Sequence, residues 1–401
     1  MELVTMKKIA LAFVLGSALA MPSVQAADVV GYVVGGNPVS PSDNQSWMAS
    51  VRYTPQNTAH LCGGSVISEH WVLTAAHCVV HMIDGDSYSV LPPSTLNVMV
   101  GSTESTVEDP STLYAVTHVV VHPDYIPDPV VKFSDSGTVE EVISTALDSD
   151  LALLRVGRSF FDSNITPIAL ASDQVASDIE ERLNGEWSEV NRPTNTKVSG
   201  WGSTNPSGTG GSDELMEAGL SFLPTADCFE RLESGMQQYY ILDSPFNRTK
   251  ICALPPDVEP DSEGNSLGYG PDSCKGDSGG PLRAEDASGV WRQIGIVSGS
   301  PMGIPVCGSI SRPGFYTRVG TYFDWIESTS ISIPQQPITN PDFIERALEQ
   351  EAKEDKCSAG VDGVSHTNCN MSSGGGGAVS WLAALPLLLV AYLRRRRHNI
   401  S

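Results

Sequence analysis

Gly276-Asp277-Ser278-Gly279-Gly280-Pro281 sets one serine in a glycine-rich turn. Glycine there lets the backbone turn sharply and come close to a bound molecule. Upstream lie Thr74-Ala75-Ala76-His77-Cys78 and Asp148-Ser149-Asp150-Leu151-Ala152-Leu153-Leu154. A serine hydroxyl is a poor nucleophile until an imidazole takes its proton, and a buried carboxylate must hold that imidazole in the right tautomer. Ser278, His77 and Asp150 supply these groups as nucleophile, general base and then acid, and orienting carboxylate.

The order His, Asp, Ser and the residues around each resemble the chymotrypsin-like serine proteases. The resemblance implies hydrolysis of peptide bonds in protein or peptide substrates, without cofactor or metal. The fold it implies is all-β, two antiparallel six-stranded β-barrels of the trypsin-like kind with a C-terminal helix and the triad in the cleft. Backbone N–H groups of Gly276 and Ser278 would face the developing oxyanion, where losing one donor costs on the order of a hundred- to a thousand-fold in rate. Asp277 would pair with a new N-terminal ammonium, formed when a pro-segment is removed. Val33-Val34-Gly35-Gly36 looks like that mature N-terminus, and Ser46-Trp47-Met48-Ala49-Ser50-Val51 follows at the expected distance. A buried carboxylate without a partner is costly, so this pairing implies a zymogen and an activating protease. A valine-rich run is also an ordinary first strand with nothing to insert. Tyr32 stands where many members carry Arg or Lys, which argues against activation by a trypsin-like enzyme and leaves another protease, or trimming from Ala27 onward.

By the same resemblance Asp272, six residues before Ser278, lies at the floor of the primary specificity pocket. A desolvated carboxylate there selects Arg or Lys, because an apolar side chain would leave it unpaired. The bland alternative is a solvated loop aspartate. Gly314, in Arg312-Pro313-Gly314-Phe315-Tyr316, matches the glycine that keeps such a pocket open, and Ser298 is expected beside the triad and the extended substrate. The chain departs from the family in Ile296-Val297-Ser298-Gly299, where Gly299 replaces a usual tryptophan. Ser300 to Val306 is also longer than is common.

The resemblance further implies disulfides Cys62–Cys78, Cys228–Cys252 and Cys274–Cys307, and elimination leaves Cys357 with Cys369 for a small loop in the tail. Disulfides require an oxidising compartment. No closely spaced Cys-x-x-Cys pair favours a metal instead. Lys7, Lys8, the apolar run Ile9 to Ala20 and Val24-Gln25-Ala26 read as a secretory signal peptide over 1–26, leaving 27–32 as pro-segment. Residues 33–330 make the catalytic unit. Residues 331–371 read as a linker or stalk, with a short acidic helical stretch from Asp342 to Lys356 and a weak apolar face of Phe343, Ile344, Ala347 and Leu348.

Residues 372–401 combine Ser372-Ser373-Gly374-Gly375-Gly376-Gly377, an apolar run Ala378 to Leu393, and Arg394-Arg395-Arg396-Arg397-His398. A permanent tail anchor, with the arginines cytoplasmic, is one reading. The three-part pattern resembles the bacterial GlyGly C-terminal sorting signal. That implies transient membrane association, a rhomboid-type processing protease and the type II secretion machinery, with a secreted or cell-surface product. Terminal basic residues argue against a eukaryotic lipid-anchor signal.

Strand-like runs at Thr117 to Val121, Leu151 to Val156 and Gln293 to Ser298 alternate with glycine- and proline-rich turns, the pattern of an all-β chain. Extra length falls in Asp84 to Thr95, Ile126 to Leu147, Ile179 to Thr196, Thr204 to Asp213 and Pro255 to Gly270, expected as surface loops. Asp84-Gly85-Asp86 lacks a full calcium ligand set and reads as a solvated turn. Asn164-Ile165-Thr166 and Asn247-Arg248-Thr249 match the glycosylation pattern. A formal charge of −23 over 401 residues argues against a nucleic-acid partner. Two functions remain from sequence, an exported endopeptidase for Arg or Lys sites and a surface-displayed inert homologue that binds peptides or adhesion partners. The intact triad favours the first.

Overall fold

The computed structural model describes residues 33–358 apart from 41–42, 44, 55–58, 85–86, 138, 235–238 and 261–263, with side chains described to residue 350. The signal peptide, the pro-segment, Cys369 and the sorting segment lie outside the described residues, as does the side chain of Cys357. A two-residue strand β1 (Asn37–Pro38) precedes β2 (Met48–Tyr53), β3 (His60–Val66) and β4 (Trp71–Thr74). A hairpin of β5 (Val80–Asp84) and β6 (Ser87–Val90) leads to β7 (Leu96–Val100) and β8 (Leu113–Val121). A second hairpin, β9 (Val130–Phe133) and β10 (Val139–Ser144), precedes β11 (Ala152–Val156). Hydrogen bonding in the order β11-β4-β3-β2-β7-β8, with β11 returning to β8, closes a six-stranded antiparallel barrel.

The second barrel is built the same way from β12 (Thr196–Gly200), β13 (Met216–Leu223), β14 (Lys250–Leu254), β15 (Pro281–Glu285), β16 (Trp291–Gly299) and β17 (Gly314–Arg318). Its order is β13-β12-β15-β16-β17-β14, and β14 closes onto β13. Closure satisfies strand edges that would otherwise template aggregation. Val51, Val66, Val72, Val119 and Leu154 are wholly buried in one barrel, and Val198, Leu220, Leu282 and Ile294 in the other. The barrels meet through polar contacts as well, since Ser65 Oγ donates to Gln293 Oε1 at 2.7 Å. β1 pairs with β13, which carries the first described residues onto the second barrel.

Of the expected loops, Asp84 to Thr95 holds the second strand of the β5–β6 hairpin, Ile126 to Leu147 holds the β9–β10 hairpin, and a third is part of a helix. Helix α1 (Asp173–Glu186) includes the first half of the segment expected as a loop from Ile179. Ser172 caps it by accepting from the Val175 N–H, and Ala176, Ile179 and Leu183 share a buried face. Helix α2 (Thr225–Glu233) precedes β14, and α3 (Val319–Ser330) is the expected closing helix after β17.

The stalk expected from residue 331 begins later than the sequence suggested. β7 pairs with only the first part of β8, Leu113 to Ala115. Beyond it, β18 (Ile338–Thr339) adds in parallel, with Ile338 opposite Val119 and Thr339 opposite Val120. Helix α4 (Asp342–Ser358) starts there. The Phe343 ring lies 5.6 Å from Tyr88 and 6.2 Å from Tyr125, and Ile344 is buried. Phe343 and Ile344, two of the four residues of the weak apolar face read from sequence, are thus packed against the body. Residues from Glu345 form a second unit, described as far as Ser358. Among the described residues no helix is long and apolar enough to cross a membrane.

Candidate active site

His77 follows β4 in one helical turn, and Asp150 precedes β11, which pairs with β4. That pairing brings two residues far apart in sequence together. Asp150 is fully buried and accepts from His77 Nδ1 at 2.8 Å and from the His77 backbone N–H at 2.9 Å. Ser298 Oγ donates to the same carboxylate at 2.5 Å, and Thr317 Oγ1 donates to the Asp150 carbonyl at 2.9 Å. Burial alone would raise the Asp150 pKa, but His77 and these donors outweigh it and hold it below the usual carboxylate range. Burial likewise pulls His77 down, and the Asp150 charge and hydrogen bond more than reverse this. The pair is suited to accept a proton at Nε2.

Ser278 comes to this pair through its backbone. Its carbonyl accepts from the Gly63 N–H at 2.8 Å. The Cys78 sulfur lies 3.6 Å from that carbonyl and 3.9 Å from His77 Nε2. Among the described residues the Ser278 hydroxyl makes no hydrogen bond, and the N–H groups of Gly276 and Ser278 have no acceptor. Gly276 and Gly279 have φ of 99° and 81°, the left-handed region that favours glycine.

The strand carrying His60 contributes a residue that sequence reasoning missed. Arg52 Nη1 donates to Ser50 Oγ at 3.1 Å, and Ser50 Oγ lies 2.7 Å from His60 Nδ1. His60 Nε2 in turn lies 2.7 Å from the Gly276 carbonyl oxygen. Burial pulls the His60 pKa down to about 4, so the ring is neutral near pH 7 and donates from Nε2 while Ser50 serves Nδ1. The chain of bonds fixes the Gly276 carbonyl. A lone histidine on a strand carries no local pattern, so only tertiary structure reveals it.

A cavity of about 440 Å³ opens at Ser278, lined also by Ser273, Val297, Gly299 and Met302 and backed by Cys274 and Cys307. Asp272 adjoins Ser273 and is 2% exposed. One of its oxygens, Oδ2, accepts from the Gly308 N–H at 2.9 Å, while Oδ1 is buried without a hydrogen-bond partner. Burial pushes its pKa up to about 7. A Cβ at Gly314 would stand 3.5 Å from Oδ1 and a longer side chain would cover it. Gly299 has its own cause, because a Cβ there would stand 2.9 Å from the Phe315 ring.

Asp277 is fully buried and accepts from the N–H groups of Gly202 at 2.9 Å and Cys274 at 2.8 Å. No cation accompanies it among the described residues, and burial pushes its pKa up to about 7. Val33 and Val34 have no exposure, Val33 packing in the core of the second barrel. The Val34 carbonyl accepts from the Asp272 N–H at 2.9 Å, which joins the Val33 segment to the Asp272 backbone. Disulfides join Cys62 to Cys78, Cys228 to Cys252 and Cys274 to Cys307. Of the two glycosylation patterns, Asn164 is exposed, whereas the Asn247 amide is engaged with Asp243, Thr249 and Lys250.

The family model described as Trypsin matches residues 33–326. Serine protease 41 of Homo sapiens is 32% identical over 302 residues, which cover 73% of this chain and 75% of that protein. Serine protease grass of Drosophila melanogaster is 30% identical over 296 residues, 72% of this chain and 65% of that protein. Trypsin-1 of Astacus astacus is 31% identical over 275 residues, 68% of this chain and 89% of that protein.

Proposed function

The chain belongs to the trypsin family of serine proteases, and from that premise we propose an exported endopeptidase, made as a zymogen, that cuts after Arg or Lys. His77 takes the Ser278 proton at Nε2 as Ser278 Oγ attacks the scissile carbonyl. Asp150 keeps the other proton on Nδ1 and stabilises the imidazolium. The free N–H groups of Gly276 and Ser278 serve the oxyanion. His77 then protonates the leaving amine, and water repeats the sequence on the acyl-enzyme.

The observation that carries the specificity is the Asp272 oxygen left buried without a partner. A substrate guanidinium or ammonium would satisfy it, and an apolar side chain would not. Cleavage between Tyr32 and Val33 supplies the activating ammonium, for which the buried Asp277 carboxylate is the partner. The activating enzyme accepts Tyr before the cut. Residues 1–26 direct export and are removed, and 27–32 form the pro-segment. Residues 372–401 act as a sorting signal for rhomboid-type processing after type II secretion.

Asp272→Ser tests the pocket. The preference for Arg and Lys reporters over Phe should disappear, with kcat/KM for Arg falling at least about a hundred-fold. Undiminished Arg cleavage would contradict the assignment.

A further inference from the structure

Lys250 is an unusual core residue, a lysine 1% exposed on β14, whose five residues are all buried. Its ammonium donates to Thr145 Oγ1 at 2.7 Å and to the Ile241 carbonyl at 2.9 Å. Lysine side chains are almost never buried so completely unless they are paired. Thr145 opens the run of residues that ends at Asp150. Within that run Leu147 and Ser149 both have φ of 49°, a left-handed conformation that side chains with a Cβ resist. A strained run keeps its shape only when its surroundings hold it.

Contacts from the segment before β14 and from α3 hold it. Ala146 N–H donates to the Tyr240 carbonyl at 2.7 Å, and Ser149 Oγ meets Tyr322 Oη at 3.1 Å. Glu233, at the end of α2, accepts from the N–H groups of Tyr240, Ile241 and Leu242, which fixes the carbonyl that Lys250 uses. Lys250 lies opposite Thr317 in the β14–β17 register, and Thr317 bonds to the Asp150 carbonyl.

The geometry points to Lys250 as a positioning residue for the triad, tying the run that carries Asp150 to the second barrel and bringing a positive charge to the base of that run. This rests on the triad reading above. Burial pulls the Lys250 pKa down to about 8, against the opposing pull of Asp148, Asp150, Asp243 and Glu233. These four carboxylates face it from the Asp150 run, the 240s segment and α2. The ammonium is therefore charged through the acid limb of the activity profile. It favours ionised Asp150 and opposes protonation of His77.

The test compares kcat/KM from pH 5 to 9 for enzyme expressed as the full chain and cut at Tyr32–Val33, in wild type, Lys250→Met, Thr145→Val and Ser278→Ala. In Lys250→Met the acid limb should move up by roughly half a pH unit, because an interior charge that opposed His77 protonation is gone. In Thr145→Val kcat should fall about tenfold through loss of positioning, with KM and the acid limb unchanged. A folded Lys250→Met with the wild-type limb would reduce Lys250 to core packing and overturn the proposal. If Lys250→Met does not fold, Thr145→Val decides, and wild-type kcat there overturns it. Activity surviving in Ser278→Ala would instead sink the triad reading.

Discussion

Gly279 shows how tightly single residues are constrained around the nucleophile. A Cβ there would stand 2.2 Å from Thr74 Oγ1 and 2.6 Å from the Gly63 carbonyl, on a backbone with φ of 81°. Thr74 is itself bonded to that carbonyl at 2.8 Å, so neither neighbour can move away cheaply. Gly279→Ala should therefore cost about 3 kcal/mol or more in unfolding free energy and lower kcat at least about a hundred-fold. Wild-type melting and turnover would show that the turn can relax. His77, Asp150, Ser278 and Asp272 stand out in the sequence as candidates because the chemistry ties their types to short local patterns. His60 and Lys250 do not, since the contacts that single them out come from residues distant in sequence.

At the scale of elements, the hairpins and β18 reveal what periodicity omits. β5–β6 and β9–β10 sit in segments rich in polar residues, where strand signals are weak, yet cross-strand pairing forms them. Tyr88 Oη donates to Asp128 Oδ2 at 2.6 Å, linking one hairpin to the start of the other. β18 is two residues long and follows a proline-rich run, so its pairing depends wholly on the free side of β8. Ile344 anchors this return at 4% exposure. Ile344→Ala should lower unfolding free energy by about 2–4 kcal/mol, measured by urea titration, with kcat/KM unchanged. A change below about 0.5 kcal/mol would mean that the segment past Ser330 contributes little to the body.

Across the whole molecule, two buried acids make stability depend on pH. Asp277 and Asp272 are both pushed up to about 7 by burial. Between the ordinary carboxylate pKa and 7 the native state then binds more protons than the unfolded chain. Stability of the uncut chain should fall as pH rises through that window, and the loss is complete above it. An ammonium beside Asp277 would lower its pKa and remove its share of the loss, on the order of 2–4 kcal/mol, while Asp272 contributes equally to both forms. In the Ser278→Ala background, urea midpoints at pH 5 and pH 8 should diverge between uncut and Val33-terminated protein. Parallel behaviour would contradict the pairing.

The most direct measurement is hydrolysis of matched Arg, Lys, Phe and Ala peptide reporters by the chain cut at Tyr32–Val33, with Ser278→Ala alongside. Cleavage confined to Arg and Lys, and absent in Ser278→Ala, is the result expected of a Ser278 nucleophile above an Asp272 pocket. Silence on all four reporters, from folded protein with Val33 verified as its N-terminus, would contradict the account and leave a family member that binds without cutting.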